Sequence, residues 1–354
     1  MKKICFVANE LLGGGAERVM TVIANDLVSR GIKVSFMLLK SSQCVYTLDS
    51  RIKVNVLKGD SKKKNPIEQI RYIRKNIKKE KNTVYVSFLT YTNLYLIMAS
   101  IGLGVRVIVS ERNDPRYSIP GNFKKIVRYF LYFSPWCKKI IFQTPGAMKY
   151  YPESIQKKGI IIVNPIKQDL PERFEGMRSN RIVSFGRFEE QKNYTMLINA
   201  FSKFVSNNPE YILELYGKGT KEEALREEAK RLGLSKKIVF NDFSENVHEL
   251  VLDAKMFILP SNYEGLSNSM LEAMAIGLPT ICTDCPSGGA KMVILNKVNG
   301  ILIPVKDTLK LTNAMETIVG NLELEKKLSC NAYKIREEFS QTKICSIWET
   351  ELFN

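Results

Sequence analysis

Short runs of consecutive apolar residues alternate along this chain with longer segments whose apolar positions recur every three or four residues. Runs that are apolar on both faces read as strands buried inside a sheet. They fall at Lys3–Ala8, Lys33–Leu39, Lys53–Leu57, Val84–Leu89, Val105–Ser110, Lys139–Gln143 and Gly159–Val163. Amphipathic helices lie between several of them, such as Glu17–Arg30 with Val19, Val22, Ile23 and Leu27 on one side. The rhythm breaks over Asn164–Asn180, where Pro165, Pro171, Gly176 and several charges predict a linker. It resumes at Arg181–Gly186, with further strands predicted at Ile212–Tyr216, Ile238–Phe240, Met256–Leu259, Thr280–Cys282 and Gly300–Ile303, and helices close the chain. This alternation implies parallel sheets with helices on both faces. The expected α/β architecture is two doubly wound, Rossmann-like domains facing across a cleft, over residues 1–165 and 181–338. Residues 166–180 link them, and a terminal helix within 339–354 packs back on the first domain. In open sheets of this kind ligands sit beyond the carboxyl ends of the strands.

Length and composition agree with two cores. The chain has 354 residues, 45% apolar and 25% charged, which excludes a disordered tail, a collagen-like repeat and a small disulfide scaffold. No short-period repeat or low-complexity tract is present. Val84–Val105 carries no charge for 22 residues, long enough to cross a bilayer, but Ser87, Thr90, Thr92, Asn93, Ser100, Gly102 and Gly104 interrupt it. A buried strand followed by a buried helix over Asn93–Ile101 accounts for it better. The first residues, Met1-Lys2-Lys3-Ile4-Cys5-Phe6, read as a strand and not as a signal peptide. Seven scattered cysteines point to a reducing, cytoplasmic compartment. Cys282-Thr-Asp-Cys285 lacks the second pair or the histidines that a zinc site wants, so no metal site is read there.

Charge changes the picture. Residues 1–177 hold 31 Lys and Arg against 13 Asp and Glu, whereas residues 178–354 hold 22 against 23. The first half therefore expects a polyanionic or anionic-surface partner. Two segments concentrate the charge. Asn65–Lys81 reads as a helix with Ile67, Ile70, Ile73 and Ile77 along one side and Arg71, Arg74, Lys75, Lys78 and Lys79 around much of the rest. Phe123–Lys139 mixes Lys124, Lys125, Arg128, Lys138 and Lys139 with Phe123, Tyr129, Phe130, Tyr132, Phe133 and Trp136. Each fits either a cationic helix lying in an anionic interface or a solvated face over the core.

Three loops carry candidate chemistry. Gly13-Gly14-Gly15-Ala16-Glu17 separates the first strand from the first helix; it fits backbone N–H groups approaching an anion, or a plain strand-to-helix turn. Gly186-Arg187-Phe188-Glu189-Glu190-Gln191-Lys192-Asn193 brings a guanidinium fork and an ammonium close to a helix start, a combination that suits a diphosphate. The third loop, Pro260–Ala273, holds Glu264 at a strand end and Glu272 in the following helix. Ser269-x-x-Glu272 matches a capping box, so Glu272 reads either as a cap or as a ligand carboxylate. No local rule demands Glu264. No two aspartates are separated by a single residue, so the D-x-D pattern that holds a metal-diphosphate is absent. Stabilisation of a leaving diphosphate would fall to protein cations and helix dipoles. His248, in Asn246-Val-His-Glu-Leu250, reads as an ordinary helix residue.

In their order and spacing these pieces resemble family 4 glycosyltransferases of the GT-B fold. The resemblance rests on Gly13–Glu17, Asn164-Pro165, Gly186-Arg187 with Lys192-Asn193, Gly217-Lys218-Gly219, the Glu264-x7-Glu272 block and Thr283–Gly289. It is strongest to bacterial enzymes that extend lipid-linked saccharides, including GalNAc transferases and those of capsule or O-antigen assembly. The resemblance implies retaining, metal-independent transfer of a hexose or N-acetylhexosamine from a UDP-sugar. It implies that Arg187 and Lys192 clamp the diphosphate and that Glu272 holds the ribose. Glu264 would face the transferred sugar, and Ser269, Met270 and Leu271 with Gly14 and Gly15 would touch phosphate or sugar. Many relatives carry a histidine after the strand Val105–Ser110; here Glu111-Arg112 stands there, and Arg112 supplies a cation in its place. By the same resemblance the Asn65–Lys81 helix meets the pyrophosphate of a polyprenyl-diphosphate-linked acceptor, so Arg71, Arg74, Lys75, Lys78 and Lys79 with Glu111 and Arg112 form the expected acceptor and membrane set. The expected enzyme works without a cofactor, peripherally on the inner face of the plasma membrane. Other enzymes of the same architecture, a UDP-sugar epimerase or a soluble glucan synthase, fit less well: one histidine is too few for the first, and the basic half is unneeded by the second. A nucleic-acid-binding protein would leave the Glu264–Glu272 block unexplained.

Overall fold

The computed structural model describes residues 2–41, 43–57 and 65–354. It divides into two compact units, residues 1–165 with 341–354, and residues 166–340.

The first unit is built on a seven-stranded sheet. Its strands are β1 (Lys3–Ala8), β2 (Lys33–Leu38), β3 (Lys53–Val56), β4 (Val84–Phe88), β5 (Arg106–Glu111), β6 (Lys139–Phe142) and β7 (Gly159–Ile161). They run in the order β3-β2-β1-β4-β5-β6-β7, and each pairing is parallel. The helices are α1 (Gly15–Ser29), α2 (Pro66–Lys79), α3 (Thr90–Ser100), α4 (Asn122–Phe133) and the short α5 (Pro145–Lys149) and α6 (Glu153–Gln156). Phe6, Val7, Val86, Ile108, Val109, Ile140 and Ile141 are fully buried, which is why these strands read as unbroken apolar runs. The uncharged stretch resolves into β4 and α3, and no helix among the described residues is long and apolar enough to cross a membrane.

The second unit holds six strands: β8 (Ser179–Phe185), β9 (Ile212–Tyr216), β10 (Ile238–Asn241), β11 (Ala254–Leu259), β12 (Thr280–Thr283) and β13 (Ile301–Ile303). Their order is β10-β9-β8-β11-β12-β13, again parallel throughout. Its helices are α7 (Tyr194–Asn207), α8 (Glu222–Arg231), α9 (Val247–Leu250), α10 (Asn268–Ala275), α11 (Gly289–Val293), α12 (Thr308–Val319), α13 (Leu322–Tyr333) and α14 (Ile335–Glu338). Residues 166–180, expected as a linker, are part of this unit. The reason is Arg178, which is buried and donates to the carbonyls of Leu252, Ala254 and Gly277 and to Ser329 Oγ. Composition suggests a linker, but that guanidinium anchors the segment.

The last helix, α15 (Gln341–Phe353), belongs to the first unit. Ile344, Cys345, Trp348 and Leu352 join the cluster formed by α1 and β1, and the Trp348 ring lies 5.3 Å from Phe88. Lys139 Nζ meets Glu351 Oε2 at 2.6 Å.

Both sheets are doubly wound. The chain moves outward from β1 or β8 in one direction and restarts at β4 or β11 in the other. The loops after β8 and β11 therefore leave adjacent strand ends, the switch point at which open α/β sheets bind their ligands.

Candidate active site

The second unit brings the Arg187–Lys192 loop and the Glu264–Glu272 block together at its switch point. The first follows β8 and the second follows β11. Five hydrogen bonds fasten the two loops. Asn262 N donates to Gln191 O (2.8 Å), Gln191 Nε2 to Tyr263 O (2.9 Å), Asn262 Nδ2 to Glu190 O (2.9 Å) and Asn193 Nδ2 to Asn262 Oδ1 (3.0 Å). The fifth joins charges: Lys192 Nζ lies 2.7 Å from Glu264 Oε1, with the two side chains 12% and 13% exposed. Ser261 Oγ donates to the same carboxylate oxygen at 2.8 Å, and Ser287 Oγ donates to the Glu264 carbonyl. Arg187 is exposed at the mouth of the β8 loop.

Glycines let the backbones close in. A Cβ on Gly217 would collide with the Gly186 carbonyl, and one on Gly289 with the Gly265 carbonyl. The Gly217-Lys218-Gly219 turn and the Ser287-Gly288-Gly289 turn are thus packed directly against the two site loops. Beneath them, Thr283 Oγ1 donates to Ser261 O at 2.6 Å, and Cys285 Sγ lies 3.3 Å from the same carbonyl. Burial pushes the Cys282 thiol well up, so the Cys-x-x-Cys pair serves as packing and hydrogen-bonding groups.

The start of α10 departs from the sequence reading. Ser267, not Ser269, is the N-cap, with its hydroxyl facing Met270 N. Glu272 is then the fifth residue of the helix, outside the first turn, and the capping box with Ser269 does not form. Its carboxylate is buried and meets His248 Nε2 at 2.9 Å. His248 is itself buried, edge-on to Phe185 with ring centroids 5.7 Å apart. It is therefore a partner of the candidate ribose-binding carboxylate and not an ordinary helix residue. Only spatial proximity across 24 residues reveals this. Leu271 N is spent inside the helix, on Ser267 O at 3.1 Å, so it has no N–H to offer a ligand. Ser269 is half-buried, its hydroxyl 2.9 Å from that of Ser267; the Met270 and Leu271 side chains are buried.

In the first unit the glycine loop lies at the N-terminus of α1, with Gly14 as N-cap, Gly15 as first helical residue and Gly13 in the left-handed region at φ 101°. The Glu17 carboxylate folds over Gly14, where a Cβ would collide with it. An anion arriving there would have to displace it. Tyr46 Oη donates to Gly14 O at 3.0 Å.

The end of β5 is more enclosed than expected. Glu111 is 1% exposed and accepts from Tyr132 Oη and Thr90 Oγ1, so it does not face a solvent-borne acceptor. Burial raises its carboxyl above the usual range. Arg112 is half-buried beneath the Phe88 ring, 4.7 Å from its centroid, and donates to Asn164 Oδ1. Gln143 Nε2 donates to that oxygen too, at 2.6 Å. Asn164 is thus a first-unit anchor, not the opening of a linker.

The α2 cations divide. Asn65 caps the helix in a capping box with Glu68, and Ile73 and Ile77 are buried. Arg71, Lys75, Lys78 and Lys79 are exposed. Arg74 instead donates to the Ala99 and Ile101 carbonyls at 2.9 and 2.7 Å, closing the C-terminus of α3. Ile67 is 60% exposed and sits among the cations, not in the core.

Residues 166–335 match the family model described as glycosyl transferases group 1. Over nearly the whole chain, two Campylobacter jejuni proteins are similar. One is the GalNAc-alpha-(1->4)-GalNAc-alpha-(1->3)-diNAcBac-PP-undecaprenol alpha-1,4-N-acetyl-D-galactosaminyltransferase, 28% identical over 98% of this chain and 97% of the relative. The other is the N-acetylgalactosamine-N,N'-diacetylbacillosaminyl-diphospho-undecaprenol 4-alpha-N-acetylgalactosaminyltransferase, 24% identical over 97% of each. Among solved structures, Anabaena HepE in complex with UDP superimposes with a TM-score of 0.83 over 99% of each chain at 16% identity, a likeness of fold. Residues 166–335 carry a group 1 glycosyltransferase domain, and the chain as a whole has the GT-B fold.

Proposed function

We propose that this enzyme transfers a hexose or N-acetylhexosamine from a UDP-sugar to a polyprenyl-diphosphate-linked saccharide, with retention at the anomeric carbon and without a metal ion. The observation that carries the reading is the Lys192–Glu264 contact, which sets a cation and a carboxylate side by side at the switch point of the second unit. A nucleotide sugar offers a partner to each: a diphosphate for Lys192 and Arg187, and sugar hydroxyls for Glu264. Glu272, held by His248, would accept from the ribose hydroxyls. The acceptor class follows the two Campylobacter relatives, whose names place their saccharides on undecaprenyl diphosphate.

In this reading the acceptor hydroxyl attacks the anomeric carbon on the face from which the diphosphate leaves. The new C–O bond forms as the bond to the diphosphate oxygen breaks, and the hydroxyl proton passes to the departing phosphate. Arg187 and Lys192 neutralise the charge that develops on that phosphate, the term that dominates such transfers. The missing D-x-D pattern supports assigning this task to side chains.

The test offers purified enzyme a panel of UDP-, GDP- and dTDP-sugars with an undecaprenyl-diphosphate-linked saccharide. Mass spectrometry reads the mass gain and NMR the anomeric configuration. One UDP-sugar should be transferred with retention, at a rate unchanged by EDTA. Inversion, or EDTA inhibition reversed by Mg²⁺, overturns the corresponding part.

A further inference from the structure

The helix α4 is packed inside out. Its buried face consists of Arg128, Leu131 and Tyr132. Its solvent face carries Phe123, Ile126, Phe130 and Phe133, which are 77%, 64%, 66% and 58% exposed. At 100° per residue these four fall within an arc of about 80°. A helix on a water-facing surface ordinarily turns such a stripe inward.

The helix cannot roll to hide it. Arg128 is fully buried, donating to Pro115 O at 3.0 Å and Ser118 Oγ at 2.7 Å, with the Tyr150 and Tyr151 rings 5.5 and 5.2 Å away. Tyr132 Oη is tied to Glu111. Rolling the phenylalanines inward would strip the guanidinium of those partners, so the polar anchors hold the apolar stripe outward.

What surrounds the stripe identifies its occupant. Asn122–Lys139 contains no acidic residue; Lys124 is exposed in the first turn of α4 and Lys138 is exposed beyond its end. Lys124 Nζ lies over the Tyr91 ring of α3 at 5.7 Å. The helix α3 packs against both α4 and α2, and α2 presents Arg71, Lys75 and Lys78. A second copy of this chain would bring the same cations against themselves. An anionic bilayer supplies both complements, acyl chains for the stripe and headgroup phosphates for the lysines.

We propose that the outward face of α4 inserts into an anionic lipid bilayer, with Phe123, Ile126, Phe130 and Phe133 entering the acyl region. This deepens the lipid-linked acceptor reading above, but it is tested with no donor and no acceptor present.

Full-length protein is floated with vesicles of phosphatidylcholine and phosphatidylglycerol (7:3) at 0.1 M and 0.5 M salt. Wild type should bind at both, because salt screens the lysines but not the apolar contact. The Ile126→Ser/Phe130→Ser/Phe133→Ser variant should partition at least about 100-fold less well. Independently of that variant, Phe130→Trp should gain a blue-shifted emission that acyl-brominated lipid quenches. A folded triple variant that binds like wild type, or a Phe130→Trp emission that such lipid leaves untouched, overturns the proposal. So does a wild type that ignores vesicles and sediments as a dimer that the triple variant cannot form. Transfer to a short-prenyl, water-soluble acceptor is measured separately. It should be equal in wild type and triple variant, and its failure in both strikes the transferase reading while leaving the vesicle result to stand.

Discussion

Glu264→Gln should tighten UDP binding while it slows transfer. Lys192 Nζ lies 2.7 Å from Glu264 Oε1 in a pair whose side chains are 12% and 13% exposed. At an effective dielectric of about 20, two unit charges at that separation attract by about 6 kcal/mol, most of which desolvation offsets. A diphosphate drawing on Lys192 must share the ammonium with this carboxylate. Glutamine retains an oxygen to accept from Ser261 Oγ and removes the competing charge. If a fifth to a third of the Coulomb attraction is recovered, UDP gains about 1–2 kcal/mol, or ~5–30-fold in Kd. Turnover should fall ~10²–10³-fold, because the group assigned to the transferred sugar is blunted. Isothermal titration with UDP at low and high salt reads the first effect, and a steady-state assay the second. The Lys192→Gln/Glu264→Gln double variant should lose the tightening. Unchanged or weaker UDP binding in a folded Glu264→Gln would refute the sharing of Lys192.

Four further outcomes follow from particular residues. His248→Phe preserves the edge contact on Phe185 but removes Nε2 from Glu272, a loss of about 1–2 kcal/mol that should raise the KM for donor ~10-fold with kcat little moved; equal KM values would detach His248 from the donor site. Burial raises the Glu111 carboxyl above its unfolded value, so the native state holds that proton longer. Its stability contribution is full below the unfolded value and declines as pH rises through the folded one. The Glu111→Gln variant should therefore gain on wild type as pH climbs, and a Tm difference that stays flat from pH 4.5 to 8 would contradict this. Reversal of Arg71, Lys75 and Lys78 to Glu should weaken vesicle binding by at least ~1 kcal/mol per residue at low salt. By contrast, Arg74→Gln should cost stability, about 1–3 kcal/mol by leaving the end of α3 uncapped, without altering vesicle binding.

Much of the fold was legible because parallel strands buried on both faces read as apolar runs. Ile212–Tyr216 has the same bounds in both readings, and most other strands shift by one or two residues. The two candidate loops were legible for a related reason: each follows a strand of the second unit, and a switch point joins strand ends that are neighbours in space. Pairings across the fold were not legible. The sequence separates Lys192 from Glu264 by 72 residues and His248 from Glu272 by 24, and no local pattern couples them. Cations were the least readable class. Arg74, Arg128 and Arg178 resemble their exposed neighbours in the chain, yet each finds carbonyls on another element, 25, 13 and 74 or more residues away. The α10 cap failed for a different reason, since Ser267 and Ser269 are chemically equal candidates and helix geometry alone chooses between them.

The return of α15 makes the first unit discontinuous: residues 166–340 are an insertion within it. On a ribosome adding about 5–20 residues per second, Trp348 emerges roughly 10–35 seconds after Pro165. Through that interval the pocket between α1 and Phe88 lacks its largest side chain, and before it ends the second unit has every residue it needs to fold. The order of assembly is therefore the reverse of the order of synthesis. The nascent first unit waits with an apolar seam along α1, and the final helix closes it. A chain cut after Ser340 should thus carry a sound second unit and a first unit open to proteolysis along α1.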